Sequence, residues 1–203
     1  QTEVPARFAG GNCRLVNFEP ATLADGCETL AILGEIFDRR DAAQAVCARN
    51  RAQLDLIARK AATIASSEHL RVICLLGPGP VRVPGDDAFQ NGMIRAAGGI
   101  PPTLGRNGPW TEISEAEWRT FDPQVVYGCS DSRRAIERYL GRPGWRAVEA
   151  VRNSRVYFFP CDLAGRNATR SGEFVSWLAA RMYGEAFARK DHQVTTDAVV
   201  GTR

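Results

Sequence analysis

Between Arg39 and Glu68 the chain runs without a glycine or a proline, through a stretch rich in Ala, Arg, Gln and Leu. Strong helix formers summed over that length predict one long helix, a rod around which the rest of the fold is arranged. Past Ser67 the pattern changes. "LRVICLLG" is a continuous aliphatic and β-branched run stopped by "GPGP", which reads as a strand buried on both faces. "DDAFQNGMIRAAGG" sets Phe89, Met93, Ile94 and Ala97 along one helical face and ends at Gly98-Gly99. "ISEAEWRTF" has Ser114 three residues before Glu117, a capping-box signature. "DPQVVYG" then reads as a strand, "SRRAIERYLG" as a short helix, "RVYFFP" as a third strand and "SGEFVSWLAARMYGEAF" as a last helix. Strands alternating with helices predict an α/β fold: a three-layer α/β/α lobe on a mainly parallel sheet, preceded by the long helix. Ligands of such sheets collect at the carboxyl ends of the strands.

Upstream of the rod, "ATLADGCETLAILGEIF" carries Leu23, Cys27, Leu30, Ala31, Leu33 and Ile36 on helical spacing, with Thr22 as N-cap, and "CRLVNFEP" reads as a short buried strand. The opening "QTEVPARFAGG" has no period. The chain therefore divides into a tail or remnant of a preceding lobe, 1–16, a strand, short helix and long helix, 17–67, and an α/β lobe, 68–203. Its 203 residues are enough for a real hydrophobic core. No apolar run approaches the roughly 20 residues of a membrane helix, and no export signal opens the chain. The 26 basic and 23 acidic residues are interspersed, so charge gives no footprint for nucleic acid.

The order of these segments resembles the C-terminal part of the periplasmic binding proteins that carry siderophores, haem or cobalamin to ABC importers. "TLADGCETLAILGEIFDRRDAAQAV" is similar to the family's entry into its inter-lobe helix, and "GDDAFQNGMIRAAGGI" to the segment after the first strand of its C-lobe. "PWTEISEAEWRTFDPQVVY" resembles its Trp, Ser-capped helix and Asp-Pro strand. "PGWRAVEAVRNSRVYFFP" is similar to its Trp-to-Val-Tyr run, and "MYGEAF" to its ending. The resemblance implies a non-enzymatic substrate-binding component in the periplasm or another extracytoplasmic compartment. It would have no intrinsic cofactor, a small-molecule metal chelate (ferric siderophore, haem or corrinoid) as cargo, and an ABC permease as partner. The family has a first lobe of about a hundred residues, the size of a small domain; only sixteen residues precede Asn17 here. The chain is then a fragment, a natural single lobe, or one completed by a second chain or a homodimer. The rival readings are a single-lobe accessory protein without transport, and a small α/β enzyme using Asp87 or a cleft cysteine.

The same resemblance marks site candidates. Trp110 falls where the family presents an aromatic face to its ligand, and Asp87 stands near the expected cleft floor. Arg82, Arg133, Arg134, Arg166 and Arg170 follow strand ends and are candidates to clamp anionic ligand oxygens. Where the family carries a permease-docking glutamate the chain has Ala116, flanked by Glu115 and Glu117 as docking candidates. Trp118 and Trp145 read as packing residues.

Six cysteines stand at 13, 27, 47, 74, 129 and 161. None forms a CxxC, and neither His69 nor His192 sits at zinc-ligand spacing from a pair, so no metal site is expected. Cys129 and Cys161 each follow a strand that would neighbour the other, and strands about 4.8 Å apart allow a disulfide across them. Cys27 with Cys47 is the second candidate pair, between short helix and rod, while Cys74 and Cys13 read as buried thiols. "GPGP" with "GDD" lacks both phosphate-loop signatures, and Asn167 is a glycosylation sequon by pattern alone.

Overall fold

The computed structural model describes residues 15–18, 22–23, 25–77, 80–164, 169–184 and 187. Its centre is a three-stranded parallel sheet of β1 (Val72–Leu75), β4 (Val125–Cys129) and β5 (Val156–Phe159), in the spatial order β1-β4-β5. The register pairs Cys74 with Tyr127 and Cys129 with Phe159. Strand periodicity sends Val72, Cys74, Val125 and Tyr127 to one face of this sheet and Ile73, Leu75 and Val126 to the other. Both faces are buried, which is why these strands read as unbroken apolar runs.

On the first face lie α2 (Arg40–Ala61), α3 (Phe89–Ala96) and α8 (Ser171–Tyr183), contributing Ile57, Met93, Ile94, Phe174 and Leu178. On the second lie α4 (Glu115–Phe121), α5 (Arg133–Leu140) and the 3-10 turn Trp145–Ala147, contributing Trp118, Ile136, Leu140 and Trp145. The molecule is thus the three-layer α/β/α arrangement expected from the alternation. Trp118 and Trp145 pack with centroids 5.2 Å apart and their planes tilted by 40°, and the Trp118 indole N–H donates to the Trp145 carbonyl at 3.0 Å. Both serve packing.

Three further pieces were silent in the sequence. A two-stranded antiparallel ribbon, β2 (Arg82–Val83) with β3 (Thr111–Glu112), whose strands are joined through α3, lies beside β1, and the one-turn helices α6 (Glu149–Arg152) and α7 (Cys161–Ala164) flank β5. The ribbon strands are two residues each, too short to show a period. The reading of "ISEAEWRTF" holds in detail: Ser114 Oγ accepts from the Glu117 amide while the Glu117 carboxylate accepts from the Ser114 amide. Asp122, in the left-handed region at φ 42°, closes that helix and receives Arg71 and the Glu149 amide on its side chain.

Two expectations need correction. The rod ends at Ala61, short of Glu68; Thr63 and Ile64 follow it, and the Thr63 hydroxyl donates to the Lys60 carbonyl at 2.8 Å. Within "CRLVNFEP", residues 15–18 form no strand, and Leu15 and Val16 are about half exposed. α1 (Asp25–Ile36) packs on α2, and a side chain at Gly34 would meet the Ala43 Cβ where the two helices come close. Thr22 bonds the Asp25 carboxylate through both its amide and its hydroxyl at the start of α1.

A candidate ligand cleft at the carboxyl ends of the strands

The parallel sheet brings the ends of β1, β4 and β5 to one edge, and a cavity of about 210 Å³ opens there. Its wall is apolar: Leu75, Leu76, Met93, Tyr127, Phe159 and Phe174. Tyr127 packs its ring against both Phe159 and Phe174 at 6.0 and 5.6 Å, so the floor is a fixed aromatic cluster. One polar atom in this wall, Gln90 Oε1, is buried without a hydrogen-bond partner among the described residues, while the buried Tyr127 hydroxyl has the Cys74 thiol as its hydrogen-bonding neighbour. Unpaired buried polar atoms are rare enough in folded proteins to single out a site.

Cys74 also lines the cavity. Burial pushes its thiol up to about 12 and drives the Tyr127 phenol well above its usual range. Both groups are therefore neutral at ordinary pH, and the floor carries no charge. A thiol held protonated this firmly is a poor nucleophile, which counts against Cys74 as a catalytic group.

The rim is charged where the floor is not. Leu76, on the cavity wall, donates its amide to the Arg82 carbonyl at 2.9 Å, which fastens the β2–β3 ribbon to the cleft edge. That ribbon sets Arg82 over the Trp110 ring, the guanidinium carbon 4.2 Å from the centroid, with Trp110 48% exposed. The cation and the indole form one composite surface, although the sequence separates them widely. On the opposite edge Cys129 and Cys161 are joined as a disulfide with Cα atoms 5.0 Å apart, tying the end of β4 to the start of α7 and walling the cavity.

The other sequence candidates stand as follows. Arg170 bonds both Glu173 (2.7 and 2.8 Å) and Asp162 (3.0 Å), and these carboxylates hold its charge far more firmly than an ordinary guanidinium's. Arg133 lies over the Phe158 ring at 4.2 Å and pairs with Glu137, on the α5 side of the sheet. Arg134 is exposed, and Arg166, like Cys13 and Asn167, lies outside the described residues. Asp87 is not part of the cavity wall: its carboxylate accepts the Gly108 amide at 2.7 Å, while Asp86 accepts those of Leu104 and Gly105. The "GDD" aspartates hold the 104–108 loop. Glu117 is occupied by Arg106 at 2.8 Å and by Ser114, leaving Glu115 as the exposed carboxylate of the pair. Cys27 and Cys47 stand as free thiols in a groove between α1 and α2, the Cys47 thiol directed at the Cys27 carbonyl at 3.7 Å rather than bonded to its sulfur.

Residues 7–163 match the sequence profile of the Periplasmic binding protein family. The chain belongs to this family. Among individual proteins it is 25% identical over 162 residues to YvrC of Bacillus subtilis (strain 168), an uncharacterized ABC transporter substrate-binding lipoprotein. That match takes in 79% of this chain and 50% of YvrC, so the chain spans half the length of the curated relative it matches. Solved structures share the fold. The periplasmic haem-binding protein BhuT, in complex with two haems, superposes with a TM-score of 0.77 at 20% identity, over 93% of this chain and 72% of BhuT. IsdE of S. aureus, complexed with haem, gives 0.76 at 18% identity, over 90% of this chain and 73% of IsdE. In a periplasmic binding protein fold, the apolar cavity and the Arg82–Trp110 surface both occupy the strand-end edge where α/β sheets gather ligands. Among the described residues no helix is long and apolar enough to cross a membrane.

Proposed function

We propose that this chain is the C-terminal, ligand-binding part of an extracytoplasmic substrate-binding protein that delivers a metal chelate to an ABC permease. The observation that carries the reading is the cleft edge: an uncharged aromatic floor beneath a rim bearing Arg82 and Trp110. Such a surface suits a ligand with a flat apolar body and an anionic edge. Haem, a corrinoid and an aromatic ferric siderophore have that character. A cavity of about 210 Å³ is smaller than the ~300–1,000 Å³ of ordinary ligand pockets. It accepts one edge or substituent, and the remainder of the cargo lies above the rim against a facing lobe. Two structural neighbours, BhuT and IsdE, are described with haem. The relative YvrC is described as an ABC transporter lipoprotein.

The test is titration of the natural full-length protein with hemin, cyanocobalamin and representative ferric siderophores, followed by tryptophan quenching. Saturable binding of one class is expected, weakened about tenfold in Trp110→Ala, the size of a lost aromatic contact. Absence of saturable binding by all three classes overturns the reading.

A second reading, a single-lobe accessory protein without a transport role, is favoured by one feature: the exposed apolar side chains Ile32, Ile36 and Phe37 at the end of α1. It predicts a stable homodimer in light scattering together with no affinity for any metal chelate.

A further inference from the structure

The Cys129–Cys161 bond is surrounded by groups that a plain structural staple does not need. Asp131 follows two residues after Cys129, and one of its carboxylate oxygens and the two sulfurs all lie within 4.8 Å of one another. The Asp131 amide donates to Cys161 Sγ at 3.5 Å, and the Ser130 hydroxyl stands 3.7 Å from the same sulfur. The Asp131 amide aimed at sulfur favours its anionic form. The Asp131 carboxylate takes the Ser130 hydroxyl at 3.3 Å and has no cation paired with it among the described residues. Both cysteines are partly exposed and Asp131 is exposed, so reductants and ions reach the cluster from solvent.

We propose that two-electron reduction of this bond converts the rim staple into a binding site for a thiophilic d10 cation such as Zn(II), with Cys129 Sγ, Cys161 Sγ and an Asp131 carboxylate oxygen as ligands. The S–S bond breaks on taking two electrons and two protons from a dithiol reductant, whose own sulfurs become a disulfide. Cation binding then releases the two thiol protons to solvent. Two thiolates, one carboxylate and a water complete four-coordination, the number zinc favours, and the complex carries one net negative charge. Ligand atoms around a tetrahedral zinc stand about 3.5–3.8 Å apart. The carboxylate is already within reach, and rotation about the two cysteine Cα–Cβ bonds parts the sulfurs. The positions are fixed by a strand end, a 3-10 turn and a helix start, and the Ser130 hydroxyl and Asp131 amide supply the outer hydrogen bonds that metal ligands commonly receive. A small-molecule disulfide reverses the step: it takes the two electrons of the thiolates and two protons from solvent, leaves as thiols, and the S–S bond re-forms as the ion is expelled. A CxxC search passes over such a site, since the cysteines are 32 residues apart and only the β4–β5 pairing brings them together.

The site is independent of the transport reading, and bare cadmium as probe keeps the two apart. The full chain is reduced with a phosphine, desalted without oxygen and titrated with Cd(II), with the thiolate-to-cadmium ultraviolet band as readout. One tight equivalent is expected, preserved in Cys27→Ser/Cys47→Ser and lost in Cys129→Ser/Cys161→Ser and in the oxidised chain. Asp131→Asn alters one exposed side chain, keeps the circular dichroism of the parent, and weakens cadmium at least about tenfold. A band that survives the Cys129/Cys161 substitutions, no band at all, or an affinity indifferent to Asp131→Asn overturns the proposal.

Discussion

Glu117 shows how one carboxylate can hold a local structure together. The Arg106 guanidinium beside it, with the Ser114 amide and hydroxyl, holds its carboxyl down to about 2. A folded-state value below the unfolded one means stability that is complete above the ordinary carboxylate range and is lost as pH falls toward the depressed value. Urea unfolding should show Glu117→Gln less stable than the parent near about pH 6, with the gap closing between about pH 4.5 and pH 2; a gap constant with pH would sink the assignment. Removing the partner cap, Ser114→Ala, should cost about 1 kcal/mol at neutral pH. This capping box was plain in the sequence because it is local. Gly128 was not. A Cβ there would run into Ile136 Cδ1 and sit 3.1 Å from the Leu75 carbonyl oxygen, backbone that cannot turn aside. Gly128→Ala should therefore destabilise by about 1–3 kcal/mol, read as a lower urea midpoint at unchanged m-value.

Among elements, those with a period were legible and those without one were not. β1, β4 and β5 announced themselves as apolar runs, and α4 by its cap. The β2–β3 ribbon depends on pairing between Arg82–Val83 and Thr111–Glu112 across an intervening helix, and no local pattern encodes it. It is nevertheless the element that puts Arg82 on Trp110, so this part of the site was legible as two residues and not as one surface. Asp87 was placed near a cleft floor by the family resemblance alone, and the bond its carboxylate accepts from the Gly108 amide joins residues too far apart in sequence for any local pattern to show. The cavity wall was hidden differently: Cys74 and Tyr127 were visible as strand residues, but that both face α8 emerges only from the register. The Cys129–Cys161 bond joins two such elements. Its cysteines are 32 residues apart, for which chain entropy gives about 3.7 kcal/mol. Phosphine reduction should lower urea stability by about that amount in the parent and by nothing in Cys129→Ala/Cys161→Ala. An equal effect of reductant on both would place the bridge elsewhere.

At the scale of the molecule, two buried clusters flank one sheet, and the layer formed by α2, α3 and α8 is closed by its own side chains. The outer end of α1 is different. Ile32, Ile36 and Phe37 are 45, 56 and 69% exposed, on consecutive turns of one helix and the residue just beyond it. Exposed single hydrophobes are ordinary, whereas adjacent ones form a patch that water solvates poorly. Such side chains bury little on folding, so exchanging them should leave the fold's stability within about 0.5 kcal/mol, while removing an adhesive surface. Ile36→Lys with Phe37→Lys is therefore expected to keep the parent's urea midpoint and to abolish binding of 1-anilinonaphthalene-8-sulfonate to the native protein. If the double variant instead unfolds at markedly lower urea, the patch is packed against chain and is no free surface. If dye binding persists at full stability, the dye reports the strand-end cavity, and the same titration repeated with hemin present would then compete it away.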